Sequence, residues 1–210
     1  MKIGILITLL IALTLSCNKN RDFKKKNWTK IVVPDAGVVY SMNGDIDSEF
    51  IIGGNGAIRK STDTGETWPI VKHDITAYDL ITIENTLFAI SLYNESYADF
   101  YSLDQGDNWI PSLTKSLEDK RSNEVITSTG IIYKIVKSQT YPASPDSVLK
   151  STDNGETWTA IFPFKHLIYS IYLDDFDRLY LGINGWEWDS DNNSFDSNTG
   201  DNAAIIYYLN

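Results

Sequence analysis

The chain has 210 residues, of which 42% are hydrophobic, enough for a packed domain and too many for a wholly disordered protein. Its single cysteine excludes a disulfide framework and a cysteine-rich zinc site, and two histidines argue against a histidine-rich metal centre. The formal charge of −10 argues against nucleic acid as the main partner, because phosphate binding requires a basic surface.

The N-terminus has the pattern of an export signal. Lys2 is followed by a nearly continuous apolar run over residues 3–15, which is too short to cross about 30 Å of hydrocarbon but typical of a signal peptide. The only cysteine, Cys17, ends this run and resembles the lipidated cysteine of bacterial lipoproteins. We therefore predict a signal peptide over residues 1–16 and lipid anchoring at the bacterial cell envelope, with the side of the membrane left open.

A basic segment follows the cysteine. Residues 18–30 contain six lysines and arginines against one aspartate. We predict that residues 17–27 are a lipidated tether, either solvated or in contact with anionic headgroups. Residues 31–210 then hold 11 basic and 27 acidic residues, a net charge of −16. Such an acidic domain repels polyanions and favours neutral or cationic partners.

The pattern Ser-x-Asp-x-Gly-x-x-Trp occurs three times, at spacings of 41 and 49 residues. Its members are Ser61, Asp63, Gly65 and Trp68; Ser102, Asp104, Gly106 and Trp109; and Ser151, Asp153, Gly155 and Trp158. An aspartate can close a tight turn by accepting a hydrogen bond from the backbone N–H two residues on, and glycine supplies the positive φ that such a turn needs. The tryptophan begins the next strand and packs its ring against the preceding one. We therefore predict that these aspartates are structural rather than catalytic.

This motif resembles the Asp-box, or BNR, repeat of sialidases, sortilin-type receptors, some endoglucanases and photosystem II assembly factors. The resemblance implies a β-propeller of four-stranded antiparallel blades. The flanking runs are β-branched and aromatic with turn residues between them, which also favours strands. We predict an all-β propeller of about four blades over residues 28–210, in which each repeat supplies strands a, b and c, the turn, and strand d starting at its tryptophan.

The two ends of the chain leave two interpretations open. The fourth repeat ends after its strand c, whereas residues 28–33 resemble a strand d without its preceding strands. The N-terminal strand could complete the fourth blade and close the ring. Alternatively, the chain is an open fragment of a larger propeller, and the edge of the strand at residues 205–208 is exposed.

The resemblance places ligand-binding groups on the face formed by the b–c and d–a loops. The longest such loop, residues 184–202, contains our candidate ligand-binding residues Trp186, Glu187, Trp188 and Asp189. Exposed indoles stack on sugars and anchor protein interfaces. The alternative is that these aromatic side chains pack on their own blade.

The sequence gives little support for a metal site or for a functional histidine. Asp189, Asp191 and Asn193 resemble the start of a calcium loop, but the glycine and glutamate that should follow are missing, and we predict no metal and no cofactor. His73 and His166 follow strands d and are interpreted as solvated loop residues.

The predicted function is a non-catalytic module that binds a protein or a glycan. The three arginines of a sialidase site are not recognisable in this chain. Four acids, Asp79, Asp99, Glu187 and Asp189, leave open the alternative of an exo-sialidase-like or other glycoside hydrolase, or a truncated fragment of one. A role in assembling a membrane complex is a further alternative.

Overall fold

The computed structural model of the protein describes residues 28–91, 99–112, 121–139, 145–162, 165–197 and 202–209. The predicted signal peptide, Cys17 and the tether at residues 17–27 lie outside the described residues. The described part of the chain consists of strands joined by turns, and none of it forms a long apolar helix of the kind that crosses a membrane.

The strands are short, as the alternation of apolar runs and turn residues predicts. In chain order, those in the described residues are β1 (Trp28–Val33), β2 (Ser41–Gly44), β3 (Phe50–Gly53), β4 (Ala57–Ser61), β5 (Ile70–His73), β6 (Asp79–Ile83), β7 (Thr86–Ile90), β8 (Phe100–Ser102), β9 (Ile110–Pro111), β10 (Glu124–Ile126), β11 (Ile132–Val136), β12 (Ser147–Ser151), β13 (Thr159–Ala160), β14 (Ile168–Leu173), β15 (Leu179–Asn184), β16 (Trp186–Asp189), β17 (Ser194–Ser197) and β18 (Ala204–Leu209).

Four antiparallel sheets of four strands form the blades of a β-propeller. Blade 1 consists of β2–β5, blade 2 of β6–β9 and blade 3 of β10–β13, each in chain order from the innermost strand a to the outermost strand d. Blade 4 has the order β14, β15, β18 and β1, so the N-terminal strand supplies its strand d. The prediction of an all-β propeller with four-stranded blades is confirmed.

Blade 4 is built from both ends of the described chain. β1 pairs with β18 in continuous antiparallel register, from Trp28 opposite Leu209 to Val33 opposite Ala204. The edge at residues 205–208, which an open arc would expose, is therefore covered by β1. Side chains alternate along β1, with Ile31 and Val33 buried and Val32 exposed, as a strand with one face on the core requires.

Three clusters of buried apolar side chains join neighbouring blades. Phe50 of blade 1 stacks on Tyr180 of blade 4 with ring centroids 4.7 Å apart, at the centre of the first cluster. A second cluster joins blades 3 and 4 around Val148 and Leu181, and a third joins blades 1 and 2 around Ile58 and Leu80. These contacts fix the order of the blades around a common axis.

The two ends of the propeller differ. We call the end that carries the a–b turns and the three motif turns the turn face, and the end that carries the b–c and d–a loops the loop face. Neighbouring a–b turns are joined by side chains: Asp177 accepts from the Ser128 N–H at 2.9 Å, and Arg178 donates to Asp47 at 2.6 Å. Trp28 pairs with Leu209 beside the start of β15, so β1 begins at the turn face.

The contribution of β1 to stability is testable because one apolar side chain on each of its two faces can be shortened to alanine. Ile31 is 9% exposed and packs against the motif turn at Gly65, whereas Val32 is 42% exposed. We expect Ile31→Ala to lower the free energy of unfolding of residues 18–210 by about 2–4 kcal/mol in urea. Val32→Ala serves as the control and is expected to cost less than about 1 kcal/mol. Equal effects would contradict a packed β1.

Candidate functional site

The three motif turns share one hydrogen-bond pattern. In the first, the Ser61 hydroxyl donates to Asp63 Oδ1 at 2.8 Å and accepts from the Gly65 N–H at 2.9 Å. Asp63 Oδ1 also accepts from the Thr67 N–H at 2.9 Å, and the Trp68 indole N–H donates back to the Gly65 carbonyl at 3.1 Å. The equivalent bonds of the other two turns differ by no more than 0.2 Å.

These carboxylates are fully engaged in holding their turns. Hydrogen bonds from the side chain and backbone of Asn108 lower the pKa of Asp104 to about 2, and those from Thr157 do the same for Asp153. The pKa of Asp63 is also lowered, chiefly by Thr67. The geometry gives each aspartate a conformational role and leaves no oxygen directed at a ligand.

The sequence analysis was wrong in two details of these turns. Each aspartate accepts from the residue four positions on rather than two, and Thr67, Asn108 and Thr157 were missed as part of the motif. Strand d begins one or two residues after the tryptophan instead of at it, because the indole bond to the glycine carbonyl keeps the tryptophan within the turn.

The motif turns also connect blades. Lys60, on strand c of blade 1, is buried and donates to Asp107 at 2.7 Å and to the Gln105 carbonyl at 3.2 Å in the second motif turn. It also pairs with Glu49 at 3.0 Å. Burial lowers the pKa of Lys60, but the hydrogen bonds to Asp107 and Glu49 outweigh it and leave that pKa raised. Lys60 therefore stays charged and holds blades 1 and 2 together.

The long loop of blade 4 contains a β-hairpin, β16–β17, which the sequence analysis did not predict. Its strands pair Trp188 with Phe195, whose ring centroids lie 5.0 Å apart, so Trp188 packs within the hairpin. Trp186 is 50% exposed and remains accessible. Of the two tryptophans predicted to bind a ligand, Trp186 has the accessible position.

The acidic candidates of this hairpin are turn or packing residues. Asp189 accepts from the Asp191 N–H at 2.8 Å and from the Asn192 side chain at 2.7 Å, and these bonds lower its pKa. This carboxylate closes the hairpin turn, which explains the resemblance to a calcium loop. Within the described residues, no group of three or more metal-ligating side chains is close enough to hold an ion.

His166 is not the solvated residue that the sequence suggested. It is 2% exposed, its Nδ1 lies 3.0 Å from the Trp186 carbonyl, and its Nε2 lies 3.6 Å from Glu187 Oε1. Burial lowers the pKa of His166. The imidazole therefore docks the hairpin on blade 4, whereas His73, at the end of β5, is exposed as predicted.

A central cavity of about 460 Å³ lies inside the ring. Its lining includes the inner strands of all four blades, represented by Tyr40, Asp79, Arg121 and Tyr169. These four residues lie at the beginning of an inner strand or just before it, which is the loop-face end of the blades. The cavity therefore has its mouth on the face that the sequence analysis assigned to ligand binding.

Five side chains encircle this mouth in a continuous series of contacts, and we call them the mouth cluster. The Arg121 guanidinium lies 5.0 Å from the Tyr78 ring centroid, and the Tyr78 ring lies 4.8 Å from that of Tyr40. Tyr40 meets Tyr169 edge-on at 5.7 Å, and Lys137 Nζ lies 5.8 Å from the Tyr169 ring. The series starts and ends in blade 3 and crosses blades 2, 1 and 4, within the range of aromatic and cation–π contacts.

The four acids proposed for a hydrolase are not brought together. Asp79 lines the cavity, but Asp99 is buried elsewhere and accepts from the Ser91 N–H at 3.3 Å. Glu187 lies beside His166, and Asp189 closes the hairpin turn. The described lining of the cavity therefore contains one carboxylate of the four.

Sequence reasoning missed most of the mouth cluster. The sequence analysis assigned no role to Arg121 or to the three tyrosines of this cluster. A signal was present, because Tyr40 and Tyr78 both directly precede an inner strand, β2 and β6, in consecutive repeats. A large polar aromatic residue at the same repeat position recurs around the axis and so converges on the mouth.

The comparisons with known proteins concern the fold. No family model and no curated protein match the chain. Among solved structures it is similar to YCF48 from Cyanidioschyzon merolae, with 14% identity, a TM-score of 0.35, and coverage of 83% of this chain and 60% of that one. It is also similar to YCF48 bound to a D1 peptide (17% identity, TM-score 0.34, coverage 81% and 72%) and to an ancestral GH74 enzyme (13%, 0.28, 81% and 27%).

The motif turns predict a specific acid response. The pKa of Asp153 is about 2 in the folded protein and near 4 in an unfolded chain, so its contribution to stability is present above about pH 4 and is lost as the pH falls towards 2. We expect Asp153→Asn to lower the urea midpoint at pH 5 and to reduce the further drop between pH 5 and pH 2.5. Glu156→Gln removes an exposed charge from the same turn and should retain the wild-type drop. An unchanged drop in Asp153→Asn would contradict the assigned role.

Proposed function

We propose that this protein is a non-catalytic binding module that takes a ligand, a glycan or a segment of a protein, at the mouth of its central cavity. The observation that carries the proposal is the mouth cluster. It combines three tyrosine rings with two cations around a cavity of about 460 Å³, which lies within the usual range for ligand sites. The tyrosines offer apolar faces together with hydroxyl groups, the combination that sugars and peptide segments require.

A binding role is favoured over hydrolysis. Glycoside hydrolysis needs two carboxyl groups facing each other across the bond that is cleaved. Among the four candidate acids, the described lining of the cavity contains Asp79 only. The hydrolase alternative would require a second acid within reach of Asp79.

We further propose that the three motif turns are Asp-boxes and that the protein is a lipoprotein of the bacterial cell envelope. The repeated bond pattern of the turns supports the first part. The cysteine at the end of the apolar run supports the second. Because β1 begins at the turn face, the tether that carries a lipid at Cys17 would join the propeller on the side opposite the mouth cluster.

The binding role is tested on a glycan array and a peptide array with residues 18–210. Tyr169→Ala removes a ring from the mouth cluster and is expected to weaken binding about tenfold or more. Tyr101→Ala is the matched control, because Tyr101 lies on β8 and contacts Phe88 away from the mouth. Equal binding by wild type and Tyr169→Ala would contradict a site at the mouth. Turnover of fluorogenic glycosides would contradict a non-catalytic role.

The anchor is tested separately by metabolic labelling of the full chain in a bacterial host. We expect wild type to incorporate labelled palmitate and to partition into the detergent phase. Cys17→Ser should lose both properties, because the thiol that carries the lipid is removed. Unlabelled wild-type protein in a host that labels a known lipoprotein would contradict the prediction.

A further inference from the structure

The hairpin of blade 4 carries its aromatic side chains on the side that faces away from the blade. Side chains alternate along a strand, and Glu187 of β16 reaches the buried His166, with 3.6 Å between the carboxylate and the imidazole. Trp186 and Trp188 therefore belong to the opposite side of the hairpin, where Phe195 of β17 lies directly across from Trp188. We call Trp186, Trp188 and Phe195 the aromatic face.

The aromatic face is accessible from outside the propeller. Trp186 is exposed over half of its surface, whereas Trp188 and Phe195 pack on each other and are half-buried. The described lining of the central cavity includes none of these three residues. The aromatic face is therefore a surface of the hairpin itself, separate from the mouth cluster.

Elsewhere in this protein, aromatic rings are paired with cations of the chain itself. Lys134 Nζ lies 4.5 Å from the centroid of the Trp158 ring, and Lys72 Nζ lies 4.5 Å from that of Phe100. Among the described residues, no lysine or arginine lies over a ring of the aromatic face. Tryptophan attracts cations more strongly than the other aromatic side chains, so the Trp186 ring offers this interaction to a partner.

The hairpin is strongly acidic. Residues 179–210 contain five acidic residues and no lysine or arginine. Four of the five acids fall within the hairpin, and two of those, Asp191 and Asp196, are exposed. Carboxylates beside an aromatic ring add to its attraction for a cation, because both present negative charge to it. The charge of the hairpin therefore complements a basic partner.

Two lysines from outside the hairpin offset this charge in part. Burial lowers the pKa of His166, and the charges of Lys30 and Lys165 lower it further, whereas Glu187 raises it. Both lysines are therefore close to the imidazole that docks the hairpin. Two positive charges against the four negative charges of the hairpin leave this region acidic.

A second exposed aromatic residue in an acidic turn has a cation from its own segment. Phe176 is 76% exposed between Asp175 and Asp177 on the turn face. Arg178 follows in the same turn and donates to Asp47 at 2.6 Å. That turn therefore contains both charges, whereas the hairpin contains only the negative one.

The shape of the hairpin favours an extended partner over a small ion. A single cation on an exposed ring is held weakly, so several contacts are needed. Each strand of the hairpin has four residues, a length of about 13 Å, along which the carboxylates are spread. A protein segment with several lysines or arginines can engage the ring and the carboxylates together, and the aliphatic stems of those side chains can pack on the aromatic rings.

From these observations we propose that the aromatic face docks a basic segment of a partner protein. One lysine or arginine of that segment lies over the Trp186 indole, and its neighbours pair with the carboxylates of the hairpin. Because the aromatic face is separate from the mouth cluster, this docking is independent of the function proposed for the mouth.

The probes are labelled peptides in which glycine alternates with lysine, glutamine or glutamate, titrated into residues 18–210 by fluorescence anisotropy. At low salt we expect the lysine peptide to bind about tenfold more tightly than the glutamine peptide, and the glutamate peptide not to bind. Added salt should weaken the lysine peptide, because exposed charges are screened. Absence of binding by the lysine peptide, or equal binding of the lysine and glutamine peptides, would overturn the proposal.

Two substitutions of Trp186 test the ring. Trp186→Ala should lower affinity for the lysine peptide about fivefold, and Trp186→Leu should lose nearly as much, because leucine keeps apolar surface without a π face. Phe176→Ala is the control, since it removes an exposed ring from an acidic turn on the opposite face. Wild-type affinity in Trp186→Leu would contradict the cation–π contact, and equal losses in Trp186→Ala and Phe176→Ala would overturn the location. The urea midpoint of each variant verifies that it is folded.

A second pair of variants separates the local charge of the hairpin from the net charge of the domain. Asp196→Asn and Asp175→Asn remove the same charge from exposed positions, one on the hairpin and one on the turn face. We expect a loss of about twofold for the lysine peptide in Asp196→Asn and a smaller one in Asp175→Asn. Equal losses would mean that the peptide responds only to net charge, which would overturn the docking surface.

Two further measurements distinguish the partner and the site. Tyr169→Ala, which tests the mouth cluster, should leave binding of the lysine peptide unchanged, and a large loss there would place the peptide at the mouth and overturn the proposal. Labelled cellohexaose tests the other ligand that stacks on indoles. Binding of cellohexaose that Trp186→Ala abolishes, without binding of the lysine peptide, would make the aromatic face a sugar site and overturn the basic partner.

Discussion

The pairing of β1 with β18 is the constraint on which the rest of this structure depends. It joins residues from opposite ends of the described chain in one sheet, with continuous register from Trp28 to Val33. The sheet it completes packs against blade 1 through Phe50 and Tyr180 and against blade 3 through Leu181. Without that strand, β18 would present an unpaired edge, and one side of the core between blades 4 and 1 would lose its cover.

The two faces of the propeller use their polar residues differently. On the turn face, the carboxylates of the three motif turns accept bonds from their own segments, and Lys60 and Arg178 pair with carboxylates of neighbouring turns. On the loop face, Arg121 and Lys137 lie against tyrosine rings at a cavity. Ion pairs therefore join the turns of neighbouring blades at the turn face, whereas at the loop face charged side chains and tyrosine rings line the cavity. Recognition is expected where polar groups converge without closing a turn.

The errors of the sequence analysis have local physical causes. The aspartate of each motif was expected to bond two residues on, but the serine already bonds the glycine N–H, which moves the carboxylate to the fourth residue. The hairpin within residues 184–202 was not predicted, although Trp188 and Phe195 are spaced to pair across a turn closed by Asp189. His166 was interpreted as solvated because the hairpin residue that it contacts, Trp186, lies 20 residues further along the chain. A local sequence pattern does not report such a contact.

The sequence by itself determined the repeated unit, which consists of four short strands with a motif turn before the last of them. It also showed that residues 28–33 resemble the strand d that the fourth repeat lacks. Those features are local, since turn chemistry and strand alternation act over a few residues. Tertiary structure alone decided that β1 covers β18 and that tyrosines of blades 1, 2 and 4 meet two cations of blade 3. Such contacts join residues far apart in the chain, and their positions depend on how the blades pack around the axis.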